Sequence, residues 1–361
     1  MKSTIESLKT KAIATRGLGK EDALELHEHG KKNLFGLLSA ASEIRECFKG
    51  KTISLCAIIN AKSGRCAENC AFCAQSAHHH TDAPVYQLVS ADEMIESARK
   101  AREDGAHMFG IVTSGTEIGS AREWGEITRA VSEIKSSGIE PCASLGMLNK
   151  QQAHALKKAG LYRYHHNLET SRSFFDSICS THDYEEDIRT VRAAKEAGLS
   201  TCSGGIIGLG EQMEHRIELA LTLKELDVDS IPVNILNPIP GTPLASMVPL
   251  HPLEILMTVA LFRFILADKD IKLCGGKERN LRQLLPLGLV AGCNSLMTGN
   301  YLTTTGRDTP LDLEMIRDLG LVAAVDTARY EMDFPSGIGY TKLHSKIEQG
   351  DQEDSGSDSI L

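Results

Sequence analysis

The chain has 361 residues, 42% hydrophobic and 24% charged, which is ordinary globular composition and within the length that a one-piece α/β barrel occupies. A net charge of −9, an aromatic content of 5% and the lack of a Lys/Arg stripe exclude a protein that draws its affinity from nucleic-acid phosphates or stacked bases. With no run of eighteen apolar residues and no apolar signal core in its first seventeen residues, the chain is expected to be cytoplasmic with no membrane partner, so its ten cysteines read as reduced thiols or metal ligands rather than disulfides.

Residues 1–50 are expected to form an N-terminal helical extension. Ala23, Leu24, Leu34, Leu37, Leu38, Ala41 and Ile44 recur at roughly helical spacing ahead of Gly50, and these helices would cap the closed end of a barrel built from the rest of the chain. From residue 51 onward, apolar strand-like runs near 51–59, 106–113, 139–146, 161–168, 199–207, 229–236, 270–274 and 289–297 alternate with helical segments. The helices are expected at 91–103, 122–136, 151–159, 184–197, 214–226 and 252–266, several of them ending in Gly. Eight such units over residues 51–325 predict an α/β fold closed as a (β/α)8 TIM-type barrel, with reactive groups at the C-terminal ends of its strands. No Gly-x-Gly-x-x-Gly follows a strand, which counts against an open nucleotide-binding sheet. Residues 326–361 lose periodicity and finish in a polar acidic tract from Gln349, expected to be a largely disordered C-terminal extension.

The loop after the first strand reads Cys66-Ala-Glu-Asn-Cys70-Ala-Phe-Cys73. Four-iron clusters are normally held by four thiolates, so a tight run of three leaves one iron open to an outside ligand. Structural zinc instead uses paired Cys-x2-Cys arms with distant partners, and those arms are missing here. The Cys-x3-Cys-x2-Cys spacing resembles the radical S-adenosylmethionine (SAM) superfamily. That resemblance implies a 4Fe-4S cluster on Cys66, Cys70 and Cys73, SAM chelated at the open iron, and Phe72 stacked near the adenine.

Strand parity isolates a second set of thiols. Inward side chains of an eight-stranded barrel form layers drawn from alternate strands, and Cys56, Cys142, Cys202 and Cys274 fall on the first, third, fifth and seventh strands. Together they could line one internal layer and hold an auxiliary iron-sulfur cluster, although cysteine is also a common inert core residue. Cys47, Cys179 and Cys293 fall elsewhere and read as structural. His78, His79 and His80 are consecutive, so their side chains diverge and read as solvated. Glu278 and Arg279, at the expected mouth, receive no role.

With these features in place, residues 30–325 resemble the biotin synthase family through Ala61–Cys66, His166–Thr170, Cys202–Glu211, Pro232–Leu236 and Pro240–Leu244. The resemblance implies conversion of dethiobiotin to biotin by SAM-derived radical steps, with an auxiliary cluster as sulfur donor, an electron donor such as flavodoxin or ferredoxin, and a homodimer. It places Asn167 and Glu169 at the SAM ribose, Ile206 at the adenine, and Asn234, with Asn167, on substrate, Asn234 hydrogen-bonding its ureido ring. Glu169 stands where the family has Asp. The family's auxiliary 2Fe-2S cluster takes three cysteines and an arginine, and the matches here are Gly110, Cys142, Cys202 and Lys277. Cys56 and Cys274 restore the count, implying an all-cysteine auxiliary cluster, four-iron rather than 2Fe-2S. Where an arginine for the SAM carboxylate is expected, Asp187 stands, with Arg189 as a substitute. The altered ligand set keeps open another radical SAM barrel enzyme, hydrogenase-cluster maturase-like or mutase-like, and a non-catalytic iron-sulfur scaffold.

Overall fold

The computed structural model describes residues 3–304 and 306–324; the acidic tract expected to be disordered lies outside them. The strands are β1 (Thr52–Lys62), β2 (Met108–Thr113), β3 (Glu140–Ser144), β4 (Arg163–His165), β5 (Ser200–Cys202), β6 (Gly205–Ile207), β7 (Ser230–Ile235), β8 (Asp270–Leu273), β9 (Ser295–Met297) and β10 (Val322–Ala323). The helices are α1 (Thr4–Thr15), α2 (Lys20–Lys32), α3 (Leu34–Lys49), α4 (Ala91–Glu103), α5 (Ala121–Ser136), α6 (Lys150–Lys158), α7 (Arg172–Phe175), α8 (Tyr184–Glu196), α9 (Met213–Glu225), α10 (Pro252–Ile265), α11 (Lys277–Leu281), α12 (Leu287–Val290) and α13 (Thr309–Asp318).

Every named strand pairing is parallel, and β9 pairs back onto β1, so the sheet closes as an eight-position barrel, with β10 added to β1 outside the closure. The fifth position is broken into β5 and β6. At the break, the backbone N–H of Gly204 turns to the side-chain Oδ1 of Asn167 (3.2 Å), and a Cβ on Gly204 would lie 2.1 Å from the Pro232 carbonyl oxygen. The eighth position is shorter than its apolar run suggested. Leu287–Val290 wind into α12, and only Ser295–Met297 join the sheet.

Short polar residues start the helices where the sequence turns amphipathic. Ser90, Ser120 and Asn149 accept from the third backbone N–H of α4, α5 and α6, and Pro252 occupies the first turn of α10. Both sheet faces are covered, as parallel strands require. Phe109, Ile111, Ala143 and Tyr164 join the apolar faces of the surrounding helices in one core cluster, and Ile231, Ile271 and Leu296 in another.

The N-terminal helices pack along the barrel's flank, and α3 ends at its closed end, where Lys49 Nζ pairs with Asp270 (3.0 Å) at the start of β8. α3 packs on α10 and α12, α2 on α9 and α10, and the turn between α1 and α2 is tied to the C-terminal ends of α9 and α10. There Leu18 N–H donates to Phe264 O (2.9 Å) and Lys224 Nζ to Gly17 O (2.8 Å). Enclosed between these helices and the barrel, α10 is buried on every side, which explains its all-round apolar sequence. Among the described residues no helix is long and apolar enough to cross a membrane.

Candidate metal centre and active site

A cavity of about 440 Å³ opens at the C-terminal end of the strands, in the size range of small-molecule sites. Side chains alternate along a strand, so residues two apart share a face. The cavity wall shows this directly: Cys56 and Ile58 on β1, Gly110 and Val112 on β2, Cys142 and Ser144 on β3, Arg163 and His165 on β4, Pro232 and Asn234 on β7, and Lys272 and Cys274 at β8 all face it.

Cys66, Cys70 and Cys73 line the same cavity from the loop after β1. Gly64 and Arg65 adopt positive φ (78° and 54°), which reverses the chain. Beyond them, the loop closes through Cys66 N–H to Gln75 O (3.0 Å), Ala77 N–H to Cys66 O (2.8 Å) and Cys73 N–H to Cys70 O (2.9 Å). The histidines expected to be solvated take part: His78 Nε2 lies 2.9 Å from Ala67 O and His79 Nε2 3.1 Å from Cys70 O. Three thiols on a short loop suit a cubane with one free iron, and no fourth cysteine of the loop competes.

The residues expected around SAM come together. Phe72 and Ile206 pack into one apolar cluster around Ile178, Leu209 and Leu236. Asn167 Nδ2 donates to Glu169 Oε2 (3.2 Å), and Ile206 N–H to the Glu169 carbonyl (2.8 Å). Glu169 is held at φ 61°, and burial, with the Asp187 charge adding to it, pushes its carboxyl up to about 8. Asn234 projects from β7, its Nδ2 donating to Gly205 O (3.3 Å) and its Oδ1 accepting from Gly275 N–H (3.1 Å). Each half of that amide keeps one unused hydrogen-bonding position for a ligand.

Cys56, Cys142, Cys202 and Cys274 are all buried and all face the cavity. Burial, reinforced by the charge of neighbouring Cys56, pushes the Cys142 thiol up to about 12; burial raises Cys274 as well, and Cys202 and Cys56 add to it. Thiols so crowded resist ionising together unless a cation joins them, and an iron-sulfur core supplies that cation.

Three expectations need correcting. Lys277 is not in the cavity wall: it is buried behind it, donating to Glu278 (2.6 Å), Met297 O (2.7 Å) and Tyr301 OH (2.6 Å), so it braces the mouth. Lys272 is the lysine among the thiols. Arg189, offered for the SAM carboxylate, is 64% exposed and pairs with Glu186 (3.6 Å) on the outside of α8. Cys179, read as structural, lines the cavity with its Sγ 3.9 Å from Cys70 Sγ. Cys47 is exposed, while Cys293 lies in the core, influenced by Arg263 and Arg45. Glu278 and Arg279 do not pair with each other; Glu278 accepts from Tyr301 OH (2.7 Å) and Arg279 donates to Asn237.

The residues missed from sequence form two groups. Lys272 shares the seventh position with Cys274, so the rule that found the cysteines could have found it; Arg163 and His165 stand on the fourth position, outside that rule, and only alternation along β4 turns them inward, His165 Nδ1 lying 3.3 Å from Cys202 Sγ. Glu68, His166 and His182 belong to a network that only the fold assembles. His182 Nδ1 contacts Glu68 (2.7 Å) and Cys179 (3.3 Å), its Nε2 faces Asp187 (3.4 Å), and Asp187 also holds His166 Nε2 (2.7 Å). Burial opposes the His182 charge, but Asp187, Cys179 and Glu68 outweigh it and push the imidazole up to about 11. Burial likewise opposes the Asp187 charge, yet His166 and His182 hold its carboxyl below the ordinary range.

Comparison with known proteins gives the same outline. Residues 61–223 match the family model described as the radical SAM superfamily, and residues 232–322 the one described as the Biotin and Thiamin Synthesis associated domain. The chain is 53% identical over 325 residues to the biotin synthase of Geotalea uraniireducens (strain Rf4), covering 90% of this chain and 99% of that protein. It is 55% identical over 317 residues to the biotin synthase of Geobacter sulfurreducens, covering 88% and 96%. The crystal structure of methylornithine synthase superposes with a TM-score of 0.75 at 21% identity, covering 88% of this chain and 97% of that one, a likeness of fold.

Proposed function

This chain belongs to the biotin synthase family of radical SAM enzymes and converts dethiobiotin to biotin, and from that premise we propose how its cavity divides the work. Family membership sets aside the maturase-like, mutase-like and scaffold readings. The observation that carries the proposal is that two sets of thiols, one on a loop and one on the strands, face a single cavity with Asn234 on its wall.

Cys66, Cys70 and Cys73 hold the 4Fe-4S cluster and present its open iron to SAM. Glu169 and Asn167 take the ribose hydroxyls, and Phe72 and Ile206 flank the adenine; their existing contacts with one another mean that little ordering is needed on binding. Asn234 gives its spare N–H and lone pair to the ureido group of dethiobiotin, which fixes the reacting carbons between the two sets of thiols. When bound, SAM and the loop cluster supply the hydrogen-abstracting radical, and the auxiliary cluster the sulfur.

Cys56, Cys142, Cys202 and Cys274 hold the auxiliary cluster, and four thiolates suit a four-iron core. The enzyme works in the cytoplasm as a homodimer and receives electrons from a flavodoxin or ferredoxin. The test is iron and sulfide counting with Mössbauer spectroscopy on anaerobically reconstituted protein, wild type against the Cys56→Ala/Cys274→Ala double variant. The expected result is a fall from about eight irons per chain to about four, with the loop cluster retained. An unchanged count removes those two cysteines from the ligand set.

A further inference from the structure

We propose that Glu68, Cys179 and His182 form a mononuclear site for a divalent metal of the zinc class beside the cysteine loop, with a fourth position open to the cavity for the carboxylate of SAM. The inference rests on the reading that Cys66, Cys70 and Cys73 hold the SAM-binding cluster.

A carboxylate oxygen of Glu68, Cys179 Sγ and a ring nitrogen of His182 lie within 4.8 Å of one another. His182 Nδ1 is 2.7 Å from Glu68 Oε2 and 3.3 Å from Cys179 Sγ. Ligand atoms about 2.0–2.3 Å from a tetrahedral ion stand roughly 3.3–3.6 Å apart, so shifts of about 1 Å or less seat one. A carboxylate, a thiolate and an imidazole are donors that zinc takes together, and three protein ligands with an open fourth position are the pattern of reactive rather than structural sites.

The residues behind these donors already aim them. His182 Nε2 faces Asp187 (3.4 Å), which keeps the proton on that nitrogen and turns Nδ1 to the metal, and Asp187 is itself fixed by His166 Nε2 (2.7 Å). Glu68 accepts from Thr116 Oγ1 (2.7 Å) and from Thr181 Oγ1. The segment that carries Cys179 and His182 is laced to the cysteine loop by Ala71 N–H to Ile178 O (2.8 Å), Asn69 Nδ2 to Ser180 Oγ (2.8 Å) and Ser180 N–H to Asn69 Oδ1 (3.0 Å). Metal binding displaces the proton shared at Nδ1.

Charge gives the site its use. Glu68, Asp187, Cys179 and His182 all line the cavity, two carboxylates and a thiol around one imidazole. Among the described residues, the arginine and lysine in the cavity wall are Arg163 and Lys272, and both face the interior thiols. With Arg189 turned outward, the SAM carboxylate meets no fixed arginine or lysine at the loop end. A divalent ion on these three ligands supplies the positive charge, and a carboxylate oxygen completes its coordination.

The experiment takes the anaerobically reconstituted holoenzyme, its loop cluster verified by Mössbauer spectroscopy, through dialysis against ZnCl2 and then metal-free buffer. Zinc and iron per chain are counted by mass spectrometry for wild type, Cys179→Ala and His182→Gln. Wild type is expected to keep about one zinc with its iron unchanged, and X-ray absorption at the zinc edge to show one sulfur among oxygen and nitrogen neighbours. Each variant lacks one ligand and should keep at least tenfold less zinc while retaining the loop cluster, which serves as the control for folding. Equilibrium dialysis should show SAM bound about tenfold more tightly by zinc-loaded than by zinc-free wild type, with no such gain in Cys179→Ala. Equal zinc in wild type and both variants overturns the site. So does a shell of several sulfurs or a loss of iron matching the zinc gained, since either puts the metal on cluster thiols. Loss of loop iron in Cys179→Ala makes that thiol a cluster ligand and overturns it too. Zinc held at the site with SAM affinity unchanged overturns the carboxylate as its fourth ligand. A wild type without a loop cluster overturns the underlying reading instead, and shows before any zinc is added.

Discussion

Replacing Glu211 tests how the fold holds the wall expected to carry the SAM adenine. The turn after β6 carries Glu211, whose carboxylate accepts from Gly208 N–H (2.8 Å), Leu209 N–H (2.6 Å) and Arg216 Nε (2.6 Å). Arg216 continues to Glu254 (2.8 Å) and Thr258 (3.1 Å) on α10, so one carboxylate links the turn to α9 and α10. Both side chains of the Glu211–Arg216 pair are 2% exposed, where breaking an ion pair costs about 3–5 kcal/mol because the surviving charge stays buried. Glu254 and Thr258 keep part of the Arg216 guanidinium satisfied, which sets the expectation for Glu211→Ala at the low end, about 3 kcal/mol. Glu211→Gln retains an acceptor oxygen and is expected to lose about 1–2 kcal/mol. Urea unfolding of the apo-protein followed by far-UV circular dichroism reads both as shifts of midpoint at constant slope. Leu209 shares its apolar cluster with Phe72 and Ile206, so equilibrium dialysis should also show weaker SAM binding for Glu211→Ala. A loss below about 1 kcal/mol for Glu211→Ala, or equal losses for Ala and Gln, would refute the view that this buried charge organises the turn.

Glu169 binds its proton up to about 8 in the folded apo-protein against 4.5 for the free side chain, so between those pH values the native state holds a proton that the unfolded chain has released. Its contribution to stability is therefore present below about pH 4.5 and lost as pH rises through about 8; Glu169→Gln should flatten that decline in thermal melts from pH 5 to 8.5, and parallel curves for the two proteins would contradict it. Asn234→Leu removes the amide from β7 and should raise KM for dethiobiotin by about 10–100-fold, one to two hydrogen bonds' worth, while SAM affinity stays put; steady-state kinetics with dialysis separates the two. Gly241 has φ 86°, and a Cβ there would sit 1.8 Å from the His80 carbonyl oxygen. Gly241→Ala should therefore displace the loop downstream of Cys73 and lower iron retention, measured as iron per chain after gel filtration, with full retention arguing that the loop tolerates the shift.

The barrel was legible because most βα units carry their own local signals, an apolar run, a polar cap and an amphipathic helix, with α10 apolar all round and the last strand shorter than its apolar run as the exceptions. The three-cysteine loop was legible because its ligands are neighbours in sequence. The interior thiols needed one further rule, the sharing of a layer by alternate strands, and applying that rule to every residue type would have exposed Lys272 along with Cys274, though not Arg163 on the fourth position. Matching by motif instead selected Lys277, five residues on, where the chain has left β8 and entered α11. The Glu68–His182–Asp187–His166 network could not be read at all. Its members come from the β1 loop, the segment before α8, α8 itself and the end of β4, and nothing local in the chain announces that these meet. The N-terminal helices showed their apolar spacing but not their docking site, since periodicity identifies a face and leaves its partner open.

The two inward positions that each strand offers sit about 6.6 Å apart along the strand. This spacing gives the lumen two storeys: Cys56, Cys142 and Lys272 stand on the lower one and Cys274 on the upper, so the interior cysteines span both while the loop that starts the reaction lies beyond them. A lineage can then exchange the ligands of its sulfur reservoir piecemeal, replacing a thiol here and a cation there, without rebuilding the ignition apparatus above.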